Sequence, residues 1–456
     1  MTLSNLTAIS PIDGRYGKKT FFLRPIFSEY ALLKFRIKIE IHWIKKLSEI
    51  SNILEISYFK EDTKKFLDEI INNFNEEDAK YIKCLEKNTK HDVKAVEYFL
   101  KKKFLSKPEL KSIMEYIHFA CTSEDINNLA YALMLKTTKE QIIVSYWKNI
   151  IKKIKNMAIA YKSIPILSRT HGQPASPSTV GKEMLNFSYR MSRQLKKLND
   201  IEILGKFNGA TGNYNAHLAA YPNINWHQIS EEFVTSLGIY WNPYTTQIEP
   251  HDYIAELFNC ISIFNTILLD FNKDMWGYIS LGYFKQKCIS NEIGSSTMPH
   301  KINPIDFENS EGNLGLANSM INHITSKLLI SRWQRDLSDS TVLRNLGMII
   351  SYSIIAYDSV LSGIKNIDIN QEKLLKDLNE NWEVLSEAIQ TIMKKYGISK
   401  PYEKLKTLTR GKTINSIVLH KFINGLGIPE EEKKRLINFT PSNYIGDAVQ
   451  LVINSV

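Results

Sequence analysis

Apolar residues along this chain recur at intervals of three and four. One series runs Val180, Met184, Phe187, Met191, Leu195, Leu198; a second runs Ile254, Leu257, Ile261, Phe264, Leu268, Phe271, Met275. Such spacing marks helices that bury one seam. Its near-heptad step favours near-parallel packing in a bundle. Helix breakers are missing over long stretches: glycine between Gly17 and Gly172, proline between Pro250 and Pro299 and between Pro304 and Pro401. Both residues disfavour helix interiors, so their absence predicts long helices. No regular alternation suggests a large sheet. The predicted fold class is all-α.

Gly and Pro instead cluster around Pro11, Gly14 and Gly17, over Ser163 to Gly181, Gly205 to Pro222, Trp241 to Pro250 and Gly294 to Pro304, and after Pro401. These are predicted loops, where sites usually sit on a helical scaffold. A chain of 456 residues exceeds one hydrophobic core, so two or three domains are expected. Soft boundaries near residues 112 and 350 give an N-terminal helical domain (1–112), a central long-helix bundle (113–350) and a C-terminal helical domain (351–456).

Composition narrows the function class. The hydrophobic share of 43% and charged share of 23% are ordinary for a globular chain. The formal charge is +10, but the lysines are scattered in short runs such as Lys101 to Lys103. Such a balance can mark a nucleic-acid or membrane partner, or a lysine-rich surface around an anionic small-molecule site; without a basic tail or an RNA-binding aromatic motif, a solvated lysine-rich surface is the simplest account. Neither nucleic acid nor membrane is an expected partner. The four cysteines, Cys84, Cys121, Cys260 and Cys288, make no C-x-x-C pair and suit no zinc site. Reduced thiols in a cytoplasmic setting are the simplest reading. The start of the chain lacks an apolar core of signal-peptide length, and the apolar run 348–357 is too short to cross a bilayer. Arg410 to Thr413 resembles the tail of a phosphate loop, but Lys406 stands where that motif needs glycine. No metal or cofactor is called for.

Three segments carry chemistry. Gly294-Ser295-Ser296-Thr297-Met298-Pro299-His300-Lys301-Ile302-Asn303-Pro304 combines a Gly-Ser-Ser turn, whose backbone N–H groups can cradle an anion, with the Lys301 charge and the Asn303 donor. Together they suit a carboxylate. Ser168 to Glu183 places His171 in a Gly/Pro-rich loop, where an imidazole can exchange a proton near neutral pH. Lys90-His91-Asp92-Val93 sets a carboxylate beside an imidazole, an arrangement that can orient the ring or raise its pKa and that a helix-surface histidine also shows.

GSSTMPHKINP resembles the GSSxMPxKxNP signature of the fumarase/aspartase superfamily, and Thr170 to Gln173 resembles its T-H-x-Q segment. The resemblance runs from about residue 8 to the C-terminus and is closest to the adenylosuccinate lyases of the longer bacterial type. The IDGRY start and the RWQRDLSDSTVLR segment point to that purine branch. By this resemblance Ser295 is the base and His171 the general acid. Substrate contacts are implied for Arg15 and Tyr16, His91 and Asp92, Thr122 and Ser123 in CTSEDI, Gln247, Lys301, Asn303, Asn309, Arg335, and Ser340, Thr341, Val342, Leu343 and Arg344. One departure is Lys90: the residue before this His varies within the family, and the most similar bacterial forms are expected to carry Asn.

The resemblance implies a three-domain fold whose central bundle forms a homotetramer core, with each site drawn from three chains. It implies β-elimination of fumarate from two anionic purine-pathway nucleotides, adenylosuccinate and the succinylcarboxamide imidazole ribotide. Ser295 takes a proton from carbon, Lys301, Asn303 and loop N–H groups hold the resulting enediolate, and His171 protonates the leaving nitrogen. Because a free serine is a poor base, a loop that closes and excludes water is expected. The alternative is a sister activity of the superfamily, such as argininosuccinate lyase.

Overall fold

The computed structural model describes residues 2–287, 297, 298, 300–410 and 414–455. The Gly294–Ser296 run, with Ser295, lies outside the described residues, as do Cys288, Pro299 and Gly411 to Thr413.

The all-α expectation holds. Helices dominate, and strands occur among the described residues only as short two-stranded pairs. The helices that matter below are α1 (Glu29–Ser48), α2 (Asp92–Phe104), α3 (Ser123–Thr137), α4 (Val144–Ala160), α5 (Val180–Asp200), α6 (Asp252–Ser280), α7 (Ile305–Lys327), α8 (Ser338–Leu343) and α9 (Leu346–Lys365). Both predicted seams are buried: every member of the α6 series is at most 1% exposed, and in α5 only Leu195 is partly open. A π-helical turn, Thr138–Ile143, joins α3 to α4. By length and composition, α6 and the segment 338–365 could cross a bilayer, but most of each is buried within the protein. That is how core helices behave.

The chain divides into two compact units. One comprises Met1–Tyr146, Gln194–Thr266 and Gly312–Ala356; the other comprises Trp147–Arg193, Ile267–Glu311 and Tyr357–Val456. All the divisions fall inside helices: α4, α5, α6, α7 and α9.

In the first unit α1 is the central element. Trp43 packs at a tilt against Phe207, 4.4 Å away between ring centroids, and edge-on against Phe233, at 5.1 Å, while its indole N–H donates to Phe119 O at 3.0 Å. Its aromatic area and satisfied N–H make it an anchor for the segment leading to α3. Immediately before Phe119, His118 adopts a left-handed backbone (φ 63°) and its Nδ1 lies 2.6 Å from the fully buried Glu40 carboxylate.

Burial alone lowers the His118 pKa, but the Glu40 charge and hydrogen bond, with Glu97 and Asp125 behind them, overcome burial and raise it above the ordinary value. A raised folded-state pKa contributes stability that is fully present below the unfolded value and is lost as pH rises through the folded one. The melting temperature of His118→Gln should therefore trail the wild type most below about pH 6.5, with the gap narrowing at alkaline pH. The pH-dependent part should approach about 1.5–3 kcal/mol, the scale of a hydrogen bond to a charged group. A gap independent of pH would rule out the charged pair.

In the second unit Leu385, Ile389, Met393, Leu419, Ile423 and Leu436 form one core cluster, with Tyr444 packed against it. A smaller cluster of Leu167, Leu378 and Val384 seats the chain just before His171. Gly181, at the start of α5, allows a close crossing: a Cβ there would meet Ala158 O at 2.4 Å and Lys162 Cα at 2.5 Å.

Candidate active site

The sequence-predicted residues form two groups, one in each unit. In the second unit, Arg169–Thr170 and Gln173–Pro174 pair as antiparallel strands. His171 (φ 52°) and Gly172 (φ 74°) are the two residues at the tip. Two consecutive positive φ values are those of a tight primed hairpin turn, which suits Gly at the second place. The loop predicted here is thus a short β-ribbon that presents an exposed histidine at its apex.

Its base is fixed from both sides. Arg169 approaches Asp377 at 3.8 Å, and Asp377 also accepts from Tyr283 Oη at 3.0 Å and pairs with Lys373 at 2.6 Å. On the other flank Ser176 hydrogen-bonds Glu387, which accepts a second bond from Tyr444 at 3.0 Å. Outside the ribbon, Pro165–Ile166 pairs with Ser178–Thr179. A side chain set on such a framework is held in position.

The segment containing Ser295 follows the strand Phe284–Gln286, which pairs with Ile367–Ile369. Lys287 N then donates to Asn366 O at 2.8 Å. Beyond it, Lys301 is exposed and Asn303 half-buried in the irregular stretch immediately before α7. One turn into α7, Asn309 Oδ1 accepts from Ser359 Oγ at 2.8 Å. Ser295 itself lies outside the described residues.

The first unit holds the other group. His91 is the N-cap of α2, and its Nδ1 accepts the Lys94 N–H at 3.2 Å. In the neutral ring the proton is then on Nε2, leaving a donor for a ligand. Lys90 ends the preceding helix with φ 53°, and its side chain is exposed. A left-handed cap favours Asn over Lys, which gives position 90 a backbone role. Asp92 is bound by Arg36 at 2.7 Å and by Arg344 at 3.3 Å. Burial raises its pKa, but the Arg36 charge, the Val93 and Arg36 hydrogen bonds and Arg344 prevail and hold it below the usual carboxylate range.

Arg344 Nη1 donates to Ser340 Oγ at 2.7 Å across one turn. Thr341 is exposed and Val342 half-buried, but the Leu343 side chain is only 4% exposed, so a ligand could meet that residue only through its backbone. Near the N-terminus the Arg15 guanidinium lies 6.0 Å from the centre of the Tyr16 ring.

Thr122 caps α3, and Ser123 opens it. Asp125 Oδ2 accepts the Thr122 N–H at 2.9 Å, and the same carboxylate accepts from Asn208 N and Gly209 N and pairs with the fully buried Lys206 at 2.8 Å. The loop after Gly209 then accepts the Gln247 amide at Ala210 O, 3.1 Å away. One buried ion pair therefore ties Thr122, Ser123 and Gln247 to a common frame. Thr246 Oγ1 extends it by donating to Gln334 O at 2.8 Å, next to Arg335.

Sequence reasoning missed these supports: Arg36, Asp125 and Lys206, and also Glu124 and Asp339, which pair with Arg335 at 3.2 and 3.5 Å. The available signal was Glu124-Asp125 in the first turn of a helix whose later turns are largely apolar. Acids there are favourable at the helix N-terminus whether or not they are buried, so the signal is silent about distant partners such as Lys206 and Arg335.

Comparison with known proteins decides the family. A lyase family model matches residues 14–317, and an adenylosuccinate lyase C-terminal model matches residues 331–445. The chain is 63% identical over 452 residues to adenylosuccinate lyase of Escherichia coli (strain K12), covering 99% of each. It is 62% identical over 452 residues to that of Haemophilus influenzae, covering 99% of each chain. The chain belongs to the adenylosuccinate lyase family. It is accordingly a carbon–nitrogen lyase, and the resemblance read from the Ser295 and His171 segments holds. Solved structures agree on the fold: a fumarate lyase from Mesorhizobium sp. BNC1 superposes with a TM-score of 0.76 at 16% identity, covering 95% of this chain and 97% of that one. A 3-carboxy-cis,cis-muconate lactonizing enzyme from Pseudomonas putida gives 0.73 at 17% identity, covering 95% and 96%.

Proposed function

We propose that the enzyme releases fumarate from adenylosuccinate, giving AMP, and from the succinylcarboxamide imidazole ribotide, with Ser295 and His171 dividing the proton transfers. The observation that supports this best is the geometry at His171: an exposed imidazole on a two-residue turn whose base is braced by Asp377 and Glu387.

The substrate's succinyl group carries the hydrogen to be removed on the carbon beside a carboxylate. Ser295 takes that proton, and the electron pair left behind spreads into the carboxylate as an enediolate. Lys301 and Asn303, on the stretch leading into α7, supply a charge and a donor for it. The pair then forms the C=C bond of fumarate while the C–N bond breaks, and His171 gives its proton to the departing nitrogen. Asn309 completes this side. Arg335, Arg344 and Ser340 to Leu343 receive the phosphate, with Arg suited to paired contacts on its oxygens. His91, Asp92, Thr122, Ser123, Gln247, Arg15 and Tyr16 form the remaining nucleotide contacts.

The same reading includes a homotetramer with each site drawn from three chains, a three-domain division at residues 1–112, 113–350 and 351–456, and a cytoplasmic location. Helices long enough for a shared bundle support the assembly.

The phosphate assignment is tested at Arg344. Arg344→Gln should raise KM for adenylosuccinate about 10- to 100-fold, the loss of a charged hydrogen bond or two, with a smaller change in kcat. An unchanged KM would remove Arg344 from the phosphate site.

A further inference from the structure

Arg335 sits in a cluster with more negative than positive charge. Its Nη2 is shared between Glu124 Oε2 at 3.2 Å and Asp339 Oδ1 at 3.5 Å, with all three side chains largely buried. Four polar atoms here are buried without a hydrogen-bond partner: Glu124 Oε1, Asp339 Oδ2, Arg335 Nε and His251 Nδ1. Donor atoms of Glu124, His251 and Asp339 lie within 4.8 Å of one another, the spacing of a metal site, but the guanidinium already occupies the cation's role.

The neighbours cannot balance the second carboxylate. Lys206, the next cation, is committed to Asp125 at 2.8 Å. Burial lowers the His251 pKa to about 4, which keeps its ring neutral at physiological pH. Tyr131 on α3 and Tyr253 on α6 also face the cluster, and burial raises both phenols, so neither is charged. Burial, opposed by Arg335 and reinforced by Asp339, pushes the Glu124 carboxyl up to about 7. A proton is therefore loosely held where Arg335 needs a counter-ion.

We propose that Glu124 is the proton-linked positioning residue of Arg335: it holds the guanidinium in the free enzyme and yields it to the nucleotide phosphate by taking one proton from solvent. This rests on the assignment of Arg335 to the phosphate. A phosphate dianion that draws the guanidinium away removes the cation paired with Glu124 and leaves Lys206, already held by Asp125, as the remaining positive influence, so the affinity of Glu124 for a proton must rise. Nucleotide binding should then weaken as pH rises through the neutral range, and a ligand without phosphate should not show it.

Calorimetry on the full-length enzyme tests this, with AMP and adenosine titrated at pH 8 in two buffers of different ionisation enthalpy. The phosphate, with a second pKa near 6, is already a dianion there and contributes little. AMP should bind with uptake of about half to one proton per site, and adenosine with none. In Glu124→Gln, which keeps an acceptor for Arg335, the uptake should vanish. AMP affinity in that variant should not fall between pH 7 and 8.5, whereas in the wild type it should fall about three- to tenfold. Glu249 is also raised by burial to about 7, but it is bonded to Asn242 and the His251 N–H and stays intact in this variant.

Zero uptake in the wild type, or uptake that persists in Glu124→Gln, overturns the proposal. Arg335→Gln separates the two layers. If it keeps the preference for AMP over adenosine, the phosphate assignment of Arg335 fails. If it loses that preference while Glu124→Gln still takes up the proton, only the role of Glu124 fails.

Discussion

Ser295→Ala should lower kcat by about 10,000-fold, the upper end of what a positioned base contributes, while adenylosuccinate still binds with near-native affinity. The expectation rests on the chemistry of the carbon acid. Its deprotonation generates a second charge on a carboxylate that is already an anion, so no other part of the reaction proceeds until a base acts. The rest of the proposed site, including the Arg335 and Arg344 contacts, is untouched by losing one hydroxyl. The lost interaction belongs to the transition state alone, and kcat should fall with little change in the dissociation constant. Single-turnover kinetics with equilibrium binding on the same sample measures both. Turnover within tenfold of wild type would exclude Ser295 as the base.

His171→Gln should lower kcat about 100- to 10,000-fold, again with binding largely kept. Glutamine retains a polar tip on the turn but cannot deliver a full proton to the leaving nitrogen. The ribbon should survive, because Arg169–Asp377, Ser176–Glu387 and the strand pairs that hold it do not involve the imidazole. Glutamine at φ 52° costs backbone strain of order 1 kcal/mol or more, but so does histidine. A variant with a normal melting temperature and normal turnover would exclude His171 as the acid.

Much of the scaffold was legible because it follows from one repeated rule. The seams Val180 to Leu198 and Ile254 to Met275 bury as their spacing requires, since a helix that long must place its apolar stripe inward. The ribbon around His171 was less legible. Its strands are two residues each, too short for any alternation to register, and the turn shows only as His-Gly. The buried charges were invisible for a different reason. Asp125 and Lys206, or Glu124 and Arg335, look like surface residues until the fold brings them together, because burial and partnership are properties of the tertiary structure. The chemistry itself was read from the resemblance carried by the Ser295 and His171 segments. Physical reading of those segments alone supplied an anion-binding loop and a loop histidine.

The division of labour between Ser295 and His171 is tested most directly by solvent-deuterium exchange. Adenylosuccinate is incubated with each variant in D2O, recovered and weighed by mass spectrometry, with fumarate release followed in parallel. In His171→Gln, deuterium should enter the carbon beside the carboxylate while fumarate fails to appear, because Ser295 still removes and returns that proton. In Ser295→Ala neither exchange nor fumarate should be seen. Exchange that persists in Ser295→Ala and disappears in His171→Gln would contradict the assignment and reverse the two roles.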